Sequence, residues 1–352
     1  MLGKAWQFAR RHKTKIAAVS AITGGLVLAG KLAESKFKQW QEEETRKMLE
    51  QIKKQHHYEN TEKTSNETLK SLFPALIKTI EKSLDSEPIL ERIKNQTGNK
   101  IELWNELKVL SFARALAMII TGTQLVLLLK LQLNILSGIL YIKQPSQVLS
   151  SRLQERFMAL SQNFISFSVP KICEQIREKM IQLLALSLKE KFTITQLEAF
   201  FQTTLLQLDL PGFQKLIIAP DGDHISQPLN PDEHLLLDDL INNIVELLEH
   251  EDYAKIFRIG LQTSLSNVFD YLAESYLSHE SYKENGLRSE VRLPVAKLIP
   301  ILNQSITVYQ SVLHALIKHY TIREYSANIY ESFCQAPPDA IAKPSLSTLW
   351  PF

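Results

Sequence analysis

Apolar residues recur at intervals of three and four along most of this chain, the period of helices packed on one side, and no stretch shows the strict alternation of a half-buried strand. The first pattern is an exception, a continuous uncharged run of fifteen residues from Ile16 to Gly30, IAAVSAITGGLVLAG, bracketed by Lys15 and Lys31. A polar, strongly charged stretch follows over 34–59, with Phe37, Trp40, Met48 and Ile52 on one side. In it Glu42 with Arg46, Glu43 with Lys47 and Glu50 with Lys54 form favourable i, i+4 pairs, which predicts a long solvated helix. The polar run Asn60–Asn66 predicts a break before helical spacing resumes at Leu69, Leu72, Phe73, Leu76, Ile77 and Ile80.

Gly98 marks a turn, and Asn99 is placed to cap a helix running through IELWNELKVLSFARALAMIITGTQLVLLLKLQLNILSGILYI. Its core, Ala115–Leu129, is again uncharged, but Gln124, Lys130, Gln132 and Asn134 are costly in lipid and cheap inside a large bundle, which favours a helix buried all round. Further helical periods cover Val148–Phe201. A proline-rich connection spans Pro211–Pro231, Asp232 is a candidate cap for a helix from His234 toward Leu277, and Pro294 opens a final helical pair ending near Phe333. The expected fold is all-α, an elongated bundle of long helices with an N-terminal transmembrane anchor. It divides into 1–33 (basic N-terminus and anchor), 34–60 (charged connecting helix), 61–335 (helical bundle) and 336–352, a tail with four prolines expected to lack order.

Charge refines this picture. The 352 residues carry 40 Lys plus Arg against 38 Asp plus Glu, so no global field points to nucleic acid. Lys4, Arg10, Arg11, Lys13 and Lys15 precede the first apolar run with no acid among residues 1–30. That run, marked by Ile16, Gly25 and Gly30, is about 22 Å long as a helix, short of a ~30 Å hydrocarbon core unless the flanking lysines snorkel. A membrane anchor fits it best; a cleaved signal peptide and a soluble helix are the other readings. Two cysteines, Cys173 and Cys334, make neither a disulfide framework nor a thiolate metal site. HExxH, Walker, GxGxxG and GxSxG frames do not occur, the histidine pairs lack metal-site spacing, and no enzyme or cofactor is expected.

The segment ILERIKNQTGNKIELWNELK stands apart from this pattern. It interleaves Leu90, Ile93, Ile101, Leu103, Trp104 and Leu107 with Lys94, Lys100 and Lys108 around a helix break. An aromatic among lysines suits a hot spot for a helix with apolar anchors and acidic flanks; it also suits a core tryptophan with a cationic rim.

MLGKAWQFARRHKTK, QHHYE, NKIELWNELKVLSFAR, LLLKLQLNIL and LPVAKLIPILNQ, in that order, resemble the peroxisomal biogenesis factor 3 (peroxin-3) family, least between about 145 and 285. The resemblance implies a non-enzymatic receptor in the peroxisomal membrane, in contact with its lipids and reached in some cases through the endoplasmic reticulum. Its helical domain would face the cytosol and take the N-terminal amphipathic helix of the carrier chaperone peroxin-19. Carried over by motif, Ile93, Lys94, Lys100, Trp104 and Leu107 line the groove with Trp104 central, Lys297 adds charge, and Asn134 and Gly138 pack the central helix. The positive-inside rule would by itself keep the basic N-terminus in the cytosol, opposite to the family arrangement. A second reading is a tether to inheritance, cytoskeletal or autophagy factors.

Overall fold

A computed structural model describes residues 13–142, 149–184, 186–218, 229–277, 291–303 and 305–335. Contacts divide the chain into two units, Met1–His57 and Tyr58–Phe352. The expected tail 336–352 and residues 278–290 lie outside the described residues, as do the side chains at Ile16, Gly25 and Gly30, whose backbone is helical.

Helix α1, Lys13–Ser83, contributes to both units. Within the first unit it is solvated as its composition predicts: Trp40, Met48, Leu49 and Ile52 are all more than half exposed, and Lys47 pairs with Glu43 at 3.5 Å. The break expected at Asn60–Asn66 does not form. The Thr64 and Thr68 hydroxyls donate back to the Asn60 and Thr64 carbonyls, while Thr61, Glu62 and Ser65 are buried. Polarity there serves a tertiary contact rather than a loop.

The second unit is assembled on one helix. After α2, Glu87–Lys94, helix α3 runs Lys100–Ile142. It is buried almost without interruption from Leu107 to Leu136. Among the described residues it alone is long and apolar enough to cross a membrane, yet two thirds of its most apolar window is covered by the bundle. Its polar residues are accommodated individually: the Gln132 amide donates to the Phe157 carbonyl and accepts from Ser161, and Asn134 donates to the Lys130 carbonyl at 2.7 Å. Gln124 is the exception, fully buried with neither amide atom partnered among the described residues.

Around α3 pack α4 (Ser151–Asn163), a π-turn (Phe164–Ser168), α5 (Val169–Leu183), α6 (Ile194–Gln207), α7 (Leu210–Lys215), α8 (Pro231–Glu249), α9 (Glu251–Leu277), α10 (Val295–Asn303), α11 (Ser305–Lys318) and α12 (Tyr320–Gln335). Caps set the starts. Thr193 and Gln196 form a capping box for α6, and Asn230 with Glu233 forms one for α8, so the cap is Asn230 and not Asp232. The long helix expected from His234 divides at His250, whose extended backbone (ψ 145°) ends α8 before α9 begins. The final pair is three helices. The sole pairing of strands among the described residues is two residues long, β1 (Lys191–Phe192) antiparallel to β2 (Leu293–Pro294).

Close approach explains one glycine. A Cβ built on Gly138 would lie 2.6 Å from Phe333 Cβ and 3.0 Å from the Tyr330 carbonyl oxygen, so α12 seats directly on the α3 backbone. Gly138 thus has the packing role expected of it, and Asn134 is buried beside it on α3.

Candidate functional site

The α2–α3 corner builds the surface singled out in the sequence. Pro88 starts α2, and Lys94 ends it in a turn where Gln96 has φ 52° and Gly98 φ 90°, the left-handed conformations that reverse the chain sharply. The Asn99 side chain accepts from the Ile101 N–H at 3.1 Å and donates to Glu102 at 2.8 Å, capping α3 as expected. Below the corner Ile89 and Leu103 are buried and hold the two helices together.

Above them the residues divide. Leu90, Ile93 and Trp104 are half-buried, each with one side on the core, while Ile101 is 68% exposed. Lys94 and Lys100 are exposed beside them. Leu107, at 1% exposure, and Lys108, at 3%, belong to the interior and not to the expected surface. Lys108 turns inward because its ammonium donates to the Leu186 carbonyl beyond α5. Burial draws its pKa down, and Glu190 partly opposes this. Lys297 is exposed on α10. Ala296 N–H bonds the Leu188 carbonyl, close in sequence to the Leu186 carbonyl that holds Lys108, and Asn303 meets Arg114. This register sets Lys297 near the level of Lys108 along the α3 axis.

A second feature carries no linear motif. A groove of about 1320 Å³ runs between the Tyr58–Glu81 stretch of α1 and helices α11 and α12. Phe73, Pro74, Ile77, Leu313 and Ile317 form its apolar part, and long charged side chains from both walls overhang it. At one end Lys130 of α3, 2% exposed, donates to both carboxylate oxygens of Glu62 at 2.9 Å, and the Tyr58 hydroxyl donates to the Arg323 carbonyl at 3.0 Å. Burial draws the Lys130 pKa down, with Glu62 opposing it, and burial pushes the Tyr58 phenol up. One signal pointed here: Lys130 interrupts an apolar helix and requires a counter-charge from elsewhere. Its partner could not be chosen by spacing.

Among the described residues no group of three or more His, Cys, Asp or Glu could hold a metal ion. Cys173 is buried, and desolvation pushes its thiol up to about 12, which makes it inert rather than nucleophilic.

A bundle laid on one buried helix, bearing an aromatic patch beside lysines and a long groove, is an α-helical scaffold with two candidate binding surfaces. The Peroxin-3 family model matches residues 7–100 and 94–166, a span holding every residue of the α2–α3 corner. The chain is 28% identical to human peroxisomal biogenesis factor 3 and 27% identical to that of Cricetulus longicaudatus, in each case over 95% of this chain and 98% of the relative. It is 25% identical to peroxisome biogenesis protein 3-1 of Arabidopsis thaliana over 84% of the chain and 88% of that protein. Over nearly its whole length the chain is thus similar to peroxisomal biogenesis factor 3 proteins.

Proposed function

We propose that this protein acts in peroxisome biogenesis as a docking receptor at the peroxisomal membrane, capturing the N-terminal amphipathic helix of peroxin-19 at the α2–α3 corner for insertion of peroxisomal membrane proteins. Similarity to peroxisomal biogenesis factor 3 proteins along 95% of the chain supports the role in biogenesis. The observation that carries the docking reading is the half-buried Trp104 beside Ile101, 68% exposed, and the exposed Lys94 and Lys100. A tryptophan fixed on one side by the core is a preorganised anchor that loses little entropy on binding, and lysines at its rim favour an occupant with acidic flanks. Leu107 and Lys108 support this surface from beneath without contacting the guest. Lys297 contributes long-range attraction from α10.

The test is fluorescence anisotropy of a labelled peroxin-19 N-terminal helix against the full chain in detergent, with circular dichroism on each variant. Trp104→Ala is expected to weaken binding about 30-fold or more, the loss typical of a central aromatic anchor. Lys297→Glu is expected to slow association and flatten its salt dependence. A folded Trp104→Ala that binds as the parent does would refute the assignment.

A further inference from the structure

Trp104 and Lys297 lie on helices far apart in sequence, and residues 186–192 form a strap between those helices. At one end of the strap the Lys108 ammonium of α3 donates to the Leu186 carbonyl, and the Glu190 carboxylate attracts the same ammonium. A tight turn joins these two points: the Glu190 N–H donates to the Ser187 carbonyl at 3.1 Å, and the Ser187 N–H donates to a Glu190 carboxylate oxygen at 3.3 Å. At the other end the strap grips the start of α10. The Val295 N–H donates to the Glu190 carbonyl at 2.9 Å, the Ala296 N–H donates to the Leu188 carbonyl at 3.1 Å, and β1 pairs with β2 directly before them. Lys297 is the next residue.

Two features make Lys108 the fixed point of this arrangement. It lies one turn after Trp104 on α3, at 3% exposure. Keeping an ammonium there costs free energy that a leucine or methionine would not, so packing alone does not account for a lysine. The second feature is what else holds α10. Val295, Leu298 and Ile299 bury its apolar face. Apolar contact is non-directional, so it keeps the helix on the bundle without fixing its rotation or its height, whereas the two backbone bonds to the strap fix both at the first turn.

We propose, on the docking reading of the α2–α3 corner, that Lys108 is a positioning residue. Without touching the guest it holds the strap, and through the strap it sets Lys297 in register with Trp104, so that one guest helix meets the aromatic anchor and the second cation together. The corner is thereby selective for guests whose acidic flank lies at a set distance from the apolar anchor.

Two measurements on the full chain in detergent test this. The first needs no guest. Spin labels at Glu106→Cys and Lys297→Cys, both exposed, in a Cys334→Ser background where the buried Cys173 does not label, should give one narrow distance by double electron–electron resonance. Lys108→Met should broaden that distribution, and Lys108→Arg, which keeps a donor and the charge, should leave it narrow. The second is stopped-flow association of the labelled peroxin-19 N-terminal helix. Lys108→Met and Lys297→Ala should each slow association at low salt by about two- to fivefold, the size of one exposed charge interaction, and flatten its salt dependence. The double variant should be no slower than Lys297→Ala alone, because both changes remove the same contact. A lysine acting through its own charge, or through general stability, would give effects that add. Additive effects, a Lys297→Ala that associates as fast as the parent, or a distribution as narrow in Lys108→Met as in the parent would each overturn the proposal. Failure of the docking reading is a different result, a folded Trp104→Ala that binds as the parent does; failure of the strap leaves Trp104→Ala impaired.

Discussion

Replacing Glu62 by Gln is the sharpest perturbation available at the α1–α3 contact. The carboxylate accepts two hydrogen bonds at 2.9 Å from an ammonium that is 2% exposed, so the substitution leaves Lys130 with a neutral partner and little water. Breaking a buried pair from one side costs about 3–5 kcal/mol, because the remaining charge is uncompensated. At about 2 °C per kcal/mol for a unit of this size, the melting temperature should fall by about 6–10 °C. The double replacement Glu62→Leu with Lys130→Met removes both desolvated charges and should recover most of that loss. Thermal unfolding by circular dichroism across pH supplies an independent check. The folded-state pKa of Lys130 is lowered by burial, and losing Glu62 removes the interaction that opposes the shift. Between that lowered value and the unfolded value near about 10.4, the unfolded state binds more protons, so the stability of Glu62→Gln should rise with pH. A loss below about 1 kcal/mol, or a deficit that stays independent of pH up to the unfolded value near about 10.4, would refute the claim that the ammonium is desolvated.

Two further outcomes follow from packing and titration. Gly138→Ala should destabilise the protein by about 1–3 kcal/mol because the new Cβ meets backbone and Cβ atoms of α12, whereas Gly122→Ala, whose nearest neighbour is the flexible Met118 methyl at 3.2 Å, should gain up to about 1 kcal/mol of helix propensity; urea titration distinguishes them. Burial raises the phenol pKa of Tyr253, whose hydroxyl has no partner among the described residues, so above about pH 10 the unfolded state releases a proton that the folded state keeps and stability falls as pH rises. Tyr253→Phe should therefore be near neutral at pH 7 and more stable than the parent by about 1.4 kcal/mol at pH 11, as measured by thermal unfolding.

Much of the architecture was legible because it depends on short-range rules. The all-round apolar character of α3 and its Asn99 cap are local statements. What was not legible depends on partners distant in sequence. The polar run at Asn60–Asn66 has the composition of a break, and only the buried Lys130 opposite Glu62 makes it a docking segment. Lys108 falls on the same helical stripe as Lys100 and Trp104, yet its ammonium finds the Leu186 carbonyl 78 residues away and turns inward. Asp232 and Asn230 are both good caps, and Pro231 at the first helical position decides between them. The groove was invisible because its walls come from the two ends of the second unit.

The central position of α3 also bears on how the protein is made. This helix is complete at Ile142, but α12, which packs on it, ends only at Gln335. At about 5–20 residues per second, translation leaves that flank uncovered for about 10–40 s. During that interval the nascent chain displays a stretch with the length and composition of a membrane span. Faithful synthesis therefore depends on α3 being sheltered from membrane-inserting machinery until the C-terminal helices arrive, and mutations that slow their arrival would act as topology errors before they acted as stability defects.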